Sequence, residues 1–165
     1  MNSDRPQPRP EPLGGDADYG LSELGPDHLS LDAVLRRFGA ERSWWVATTR
    51  PDGRPHAMPV WGLFIEHRLV FSTDPQSVKA DNLTSNQAIV VHLDSGDQVA
   101  VVEGTARRLT PTDIPAGFSA QYEAKYGFAF DPADPAVGMF EVVPAKVFSW
   151  DEANFAETAA RWRFT

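Results

Sequence analysis

Apolar residues recur at helical spacing over Leu31, Val34, Leu35 and Phe38, behind a Ser30 placed to cap the helix and ahead of Gly39, which ends it. The pattern then changes. Ser43 to Arg50 (SWWVATTR) is aromatic and β-branched, and Pro51-Asp52-Gly53 supplies a tight turn, so the chain returns along Pro55 to Glu66 as the second arm of a hairpin. A further reversal across Glu66-His67-Arg68 leads into a strand over Leu69 to Thr73. Pro75 to Leu83 reads as a short helix, and strands follow over Ala88 to Leu93 and Gln98 to Arg107, joined at Ser95-Gly96. Thr112 is placed to cap a helix carrying Phe118, Tyr122 and Tyr126 up to Gly127, and the loop Phe128 to Pro135 belongs at the surface. Gly138 to Val143 and Lys146 to Trp150 read as late strands, Asn154 to Ala160 as a short helix, and Trp162 to Phe164 as a final strand or tail. Five to seven strands, mostly joined by hairpins and flanked by short helices, predict a mainly β (β+α) fold, an antiparallel β-barrel with helices at its ends.

Residues 1–27 have a different character. Pro6, Pro8, Pro10 and Pro12 stand at alternate positions, which favours extended chain and removes backbone donors. Six acids against Arg5 and Arg9 give this stretch a net −4, half of the −8 carried by all 165 residues. It is expected to be a disordered, acidic, proline-rich leader, with residues 28–165 as one folded domain. The acidic balance argues against nucleic acid and anionic membranes as partners. The absence of cysteine excludes disulfides, thiolate metal sites and thiol nucleophiles. With no membrane-length apolar run and no signal-like N-terminus, the expected compartment is the cytoplasm.

Side-chain chemistry is sparse. His28, His56, His67 and His92 are scattered without metal-ligand spacing, so no metal site is assigned. No GxSxG elbow, GxGxxG turn or P-loop is present, and the carboxylate pairs Asp94/Asp97 and Glu141/Asp151 lack a glycosidase spacing. No catalytic side chain is assignable. An enzyme built on this chain therefore draws its reactivity from a cofactor. Residues 45–104 carry the sharper signal: Pro59-Val60-Trp61 ends the hairpin, Phe71-Ser72-Thr73 follows, and Ser77-Val78-Lys79 opens a helix with Asn82-Leu83 in its next turn. Hydroxyls, a helix N-terminus and a cation together suit a phosphate, although Lys79 also suits a solvated helix face. Met58, Trp61 and Phe71 fit either an apolar wall for a planar ring or plain core.

From Leu31 to Phe164 the chain resembles the pyridoxamine-5′-phosphate oxidase-like flavin-binding split β-barrel superfamily, on TTRPDGRPHAMPVW, LVFSTDPQSVKADNL and VEGTARRLT in that order. The resemblance implies a homodimeric six-stranded split barrel holding its ring at the subunit interface. It implies that Met58, Pro59, Val60 and Trp61 line the ring, with Phe71 beside them. Ser72 and Thr73 would meet the ring edge or ribityl chain, and Ser77, Val78, Lys79 and Asn82 would form the phosphate end. Gln98 or Val99 would approach from another side, and Trp162 and Arg163 sit where the family's C-terminal tail comes near. Where the oxidases carry two phosphate-holding arginines, this sequence has Ala57 and Val78. That departure points to the deazaflavin-dependent oxidoreductase branch B, using coenzyme F420, with Arg50, Arg54, Arg107 and Arg108 as candidates for its acidic tail. The implied activity is hydride transfer from reduced F420 to an electron-poor small-molecule acceptor. FMN-dependent oxidation and non-catalytic flavin or deazaflavin binding are the alternatives.

Overall fold

The hairpin pattern becomes, in a computed structural model describing residues 8–14 and 23–164, nine strands and four short α-helices among those residues. In chain order these are β1 (Pro10–Glu11), α1 (Leu31–Ala40), β2 (Trp44–Thr49), β3 (Pro55–Val60), β4 (Gly62–Ile65), β5 (Arg68–Thr73) and α2 (Val78–Ser85). Then come β6 (Ala88–His92), β7 (Gln98–Arg108), α3 (Phe118–Tyr126), β8 (Gly138–Asp151), α4 (Phe155–Thr158) and β9 (Ala160–Arg163). All pairings are antiparallel, in the order β1-β9-β8-β7-β6-β2-β3, with β5 joined to β8 and β4 to β5. No helix among the described residues is long and apolar enough to cross a membrane.

The expected count of six strands is corrected to nine, and each difference has a local cause. The arm expected as one strand over Pro55 to Glu66 changes partner at Trp61: Val60 pairs with Trp44 of β2, whereas Gly62 pairs with Phe71 of β5. The two late strands are instead one 14-residue β8, because a register shift at Glu103/Gly104 accommodates Pro144. Within the stretch expected to be disordered, Pro10 and Glu11 pair with Trp162 and Arg161. Residues 1–7 and 15–22 of that leader lie outside the described residues. Helix starts also move. Ser77 accepts the Ala80 N–H as N-cap, so α2 begins at Val78 rather than at Pro75. The turn after Thr110 is a short 3-10 segment, Pro111–Asp113, whose Asp113 carboxylate accepts the Thr110 N–H, and α3 starts only after Gly117.

The sheet faces two apolar clusters. In the larger one, Leu31, Val34, Leu35 and Phe38 of α1 join Trp44, Val46, Val60, Phe71, Val91, Val102, Val142 and Trp162 from six strands and β9, so the sheet curls around them. Trp44 anchors it: the indole is fully buried, meets Phe38 edge-on, and donates from Nε1 to the Phe38 carbonyl at 2.7 Å. On the other face of β4 and β5, Leu63, Ile65 and Val70 pack against Phe118, Tyr122 and Tyr126 of α3. Alternation along β5 thus attaches α3 to the barrel-like core.

Beside these clusters a charged group ties β5, β7 and β8 together. Glu141 accepts from Arg68 at 3.0 Å and from Arg107 at 2.6 Å. Burial pushes the Glu141 carboxyl up, but the two guanidiniums outweigh it and hold the group below its ordinary value. A depressed folded-state value means that this contribution is complete above about pH 4.5 and is lost as pH falls through the lower folded value. Glu141→Gln is expected to cost about 1.5 kcal/mol at pH 7. It should cost markedly less at pH 3, as urea melts at the two pH values would show; an equal loss at both would contradict the assignment.

Candidate functional site

The crossover from β3 to β4 opens a cavity of about 420 Å³. It is lined by Pro59, Val60 and Trp61 of the crossover, Ser72 and Thr73 at the end of β5, Lys79 of α2, Ser43 and Tyr122. Its volume suits a cofactor-sized ligand.

The ring-like side is built by α3. Trp61 stacks in parallel on Tyr126 at 4.5 Å between centroids, and the Arg42 guanidinium lies 5.2 Å from the Trp61 ring. Tyr126 holds the crossover by two bonds to one residue: its hydroxyl donates to the Gly62 carbonyl at 2.8 Å and accepts the Gly62 N–H at 2.9 Å. Lys125 Nζ also donates to that carbonyl, at 3.1 Å. Burial drives the Tyr126 phenol up to about 12 and the Lys125 ammonium down to about 8. Tyr122 stands 3.3 Å from the Ser72 hydroxyl, and burial raises its phenol too, so a protonated hydroxyl faces the cavity at neutral pH.

The anion-like end is built by α2. Ser77 caps the helix and shares a bond of 3.2 Å with the Thr73 hydroxyl, which leaves the N–H groups of Val78 and Lys79 without intrahelical acceptors. Lys79 is partly buried, and desolvation lowers its ammonium against the pull of Asp74. A partly desolvated cation with no hydrogen-bonded partner among the described residues is poised for an anionic ligand.

Of the residues expected at the site, Pro59, Val60, Trp61, Ser72, Thr73 and Lys79 meet at this cavity, with Ser77 one bond behind Thr73. The side chains of the others lie elsewhere, Val78 contributing only its backbone N–H at the start of α2. Phe71 is core, stacked on Phe140. Asn82 is buried and donates to the Thr48 hydroxyl at 2.9 Å, tying α2 to β2. Met58 and Val78 are solvent-exposed, at 48% and 40%. Gln98 lines a second cavity with Asp97, Asp151 and Glu152. Trp162 is buried in the core, and Arg163 pairs with Glu11. Among the candidate arginines, Arg54 is taken by Asp52 and Arg107 by Glu141. Ser43 and Tyr122 were not singled out from the sequence. The polar tips at two of the three aromatic positions of α3 were a usable signal, because a buried tyrosine needs a partner and so marks a polar opening.

An antiparallel sheet with a few short helices, whose β3–β4 crossover and α2 contribute to one cavity, defines the class as a β-rich domain. A family model described as pyridoxamine 5′-phosphate oxidase matches residues 31–151, and the chain belongs to that family of flavin-binding oxidoreductases. Solved structures share the fold. A conserved hypothetical protein from Mycobacterium tuberculosis aligns at a TM-score of 0.65 and 21% identity, over 78% of this chain and 89% of its own. An F420 reductase aligns at 0.54 and 21%, over 68% and 94%. A pyridoxamine 5′-phosphate oxidase-related, FMN-binding protein from Nostoc punctiforme aligns at 0.54 and 16%, over 82% and 94%. No curated protein matches the chain.

Proposed function

We propose that the chain is a cytoplasmic, homodimeric split-barrel reductase that uses reduced coenzyme F420 to reduce an electron-poor small molecule such as an enone or quinone. The observation that carries this reading is Lys79, a partly desolvated cation at a helix N-terminus with no hydrogen-bonded partner among the described residues, which lines the same cavity as Trp61. An F420 reductase among the fold neighbours supports it, as does the sequence's lack of the oxidases' two phosphate arginines at Ala57 and Val78. Edge strand β3, which exposes Ala57, Met58 and Pro59 and pairs only with β2 among the described residues, is the surface proposed to meet a second copy.

The residues present fit such a group: an indole, two hydroxyls and one cation line the cavity, and the N–H groups of Val78 and Lys79 at the start of α2 have no intrahelical acceptors. When bound, the deazaflavin supplies a hydride to the acceptor, and a proton from the protein or solvent completes the reduction. Lys79 and the α2 N–H groups hold the phosphate. Trp61, fixed by Tyr126, orients the ring plane, and Ser72 and Thr73 bond the polar chain between them. Tyr122 keeps its proton at neutral pH and is placed to donate a hydrogen bond from its Oη into the cavity.

Tyr122→Phe is accordingly expected to lower kcat/KM by about 2- to 10-fold, the worth of one neutral hydrogen bond. Cofactor affinity should stay unchanged, measured by steady-state assay beside fluorescence titration; a loss confined to cofactor affinity would contradict this role. FMN in place of F420 is the second reading, favoured by the flavin-binding character of the family. Side-by-side titration with F420 and FMN decides between them: micromolar or tighter F420 binding with weaker FMN binding supports the first, and the reverse order replaces it with the second.

A further inference from the structure

We propose that Ser43 is a ring-recognition residue, whose hydroxyl donates a hydrogen bond to a carbonyl oxygen at the edge of the cofactor ring held by Trp61. The inference rests on the cofactor reading above and adds a neutral contact for the ring to the charged contact that Lys79 makes with the phosphate.

Strand register brings Ser43 to Trp61. Trp44 of β2 pairs with Val60 of β3, and both side chains are buried in the core. One step beyond this pair stand Ser43 and Trp61. Alternation turns the Ser43 side chain away from the face that buries Trp44, and Trp61 is 36% exposed beside the buried Val60. Both residues line the cavity. The Arg42 guanidinium, 5.2 Å from the Trp61 ring, shows independently that this end of β2 reaches the indole. Both sides of the pair are fixed: Trp44 by its bond to the Phe38 carbonyl, and the crossover by the two bonds of Tyr126 to Gly62.

Four hydroxyl residues line the cavity, Ser43, Ser72, Thr73 and Tyr122, and three of them have partners. Ser72 and Tyr122 share a bond of 3.3 Å, and Thr73 bonds the capping Ser77 at 3.2 Å. Ser43 has no side-chain hydrogen bond among the described residues, although it lines the same space. The two carbonyls of the crossover are filled. Trp61's accepts the Ser72 N–H at 3.3 Å, and Gly62's accepts from Tyr126 and Lys125. None of the residues lining the cavity is acidic. The Ser43 proton is therefore left for an acceptor on the ligand. A neutral hydroxyl suits a neutral carbonyl, whereas the phosphate is matched by Lys79 and the start of α2. F420 and FMN share a pyrimidinedione edge, whose carbonyl oxygens are acceptors of this kind.

The test titrates the full-length wild type, Ser43→Ala, Ser43→Thr, Lys79→Ala and the double alanine variant with F420 and with FMN. Ser43→Ala should weaken binding by about 2- to 10-fold, the worth of one neutral hydrogen bond, and Ser43→Thr should recover most of it. The same factor should appear in the Lys79→Ala background, because the two contacts hold different ends of the ligand. Added salt should weaken binding to wild type and Ser43→Ala equally, since the lost contact is neutral. The melting temperature of Ser43→Ala should stay within about 2 °C of wild type. Infrared spectra of the bound ring give a readout that a structural serine would not move. Donation to a ring carbonyl weakens its double bond, so that band should lie at lower frequency in wild type and Ser43→Thr than in Ser43→Ala. Affinity equal to wild type in Ser43→Ala, or a carbonyl band that does not move, overturns the inference. In that case Lys79-dependent binding would leave the cofactor reading standing. Failure of wild type to bind either cofactor overturns both.

Discussion

Lys79→Ala should weaken binding of the phosphate-bearing cofactor by roughly 10- to 150-fold, the equivalent of one charge-assisted contact of about 1.5–3 kcal/mol. The fold should barely notice. Lys79 carries no hydrogen bond among the described residues, and its partial desolvation opposes its charge in the folded state, so its removal breaks no stabilising pair. The melting temperature is therefore expected to stay within about 2 °C, as for a surface substitution. Lys79→Arg should recover most of the affinity, and wild-type binding should weaken with added salt more steeply than that of the alanine variant. Fluorescence titration beside a thermal melt measures both quantities. Affinity unchanged within about twofold, well below the 1.5 kcal/mol floor, would remove the phosphate from this end of the cavity.

Gly62→Ala should damage fold and site at once. A Cβ there would stand 2.5 Å from Trp44 Cζ3 and 2.8 Å from the Val70 carbonyl oxygen. Neither neighbour can yield easily, because the Trp44 indole is fully buried and pinned by its bond to Phe38, and Val70 belongs to the paired strand β5. The crossover must move instead, and the Tyr126 and Lys125 bonds to Gly62 move with it. Overpacking of this kind costs about 2–3 kcal/mol, which for a domain of this size lowers the melting temperature by roughly 5–10 °C. Displacement of Trp61 should also weaken cofactor binding by about tenfold, a loss of about 1.4 kcal/mol. Thermal melts and titration of the same variant report the two effects separately. A melting temperature within about 2 °C of wild type would show that the crossover has slack that its contacts deny.

The two substitutions differ in how far the sequence announced them. Lys79 stood out beforehand, because Ser77-Val78-Lys79 reads locally as a cap, a helix start and a cation. Gly62 did not. Nothing near it in sequence shows that Trp44 lies under its α-carbon, or that Tyr126, 64 residues away, bonds both its N–H and its carbonyl. The same limit explains the strand count. Pro55 to Glu66 reads as one continuous strand arm, and its exchange of partners at Trp61 is a property of β2 and β5 together.

By itself the sequence determined what depends on near neighbours along the chain. Periodicity specified α1 and its four buried apolar residues, β-branched runs between turn residues specified most strands, and the order of three motifs pointed to the family. Only the tertiary structure decided which of those residues share a cavity. It placed Tyr122 beside Ser72 and left Phe71 in the core, gave Asn82 to Thr48, and set Gln98 in a second cavity away from Lys79. The physical reason is that alternation along a strand tells which residues share a face, whereas which face meets which helix is set by long-range pairing and close packing.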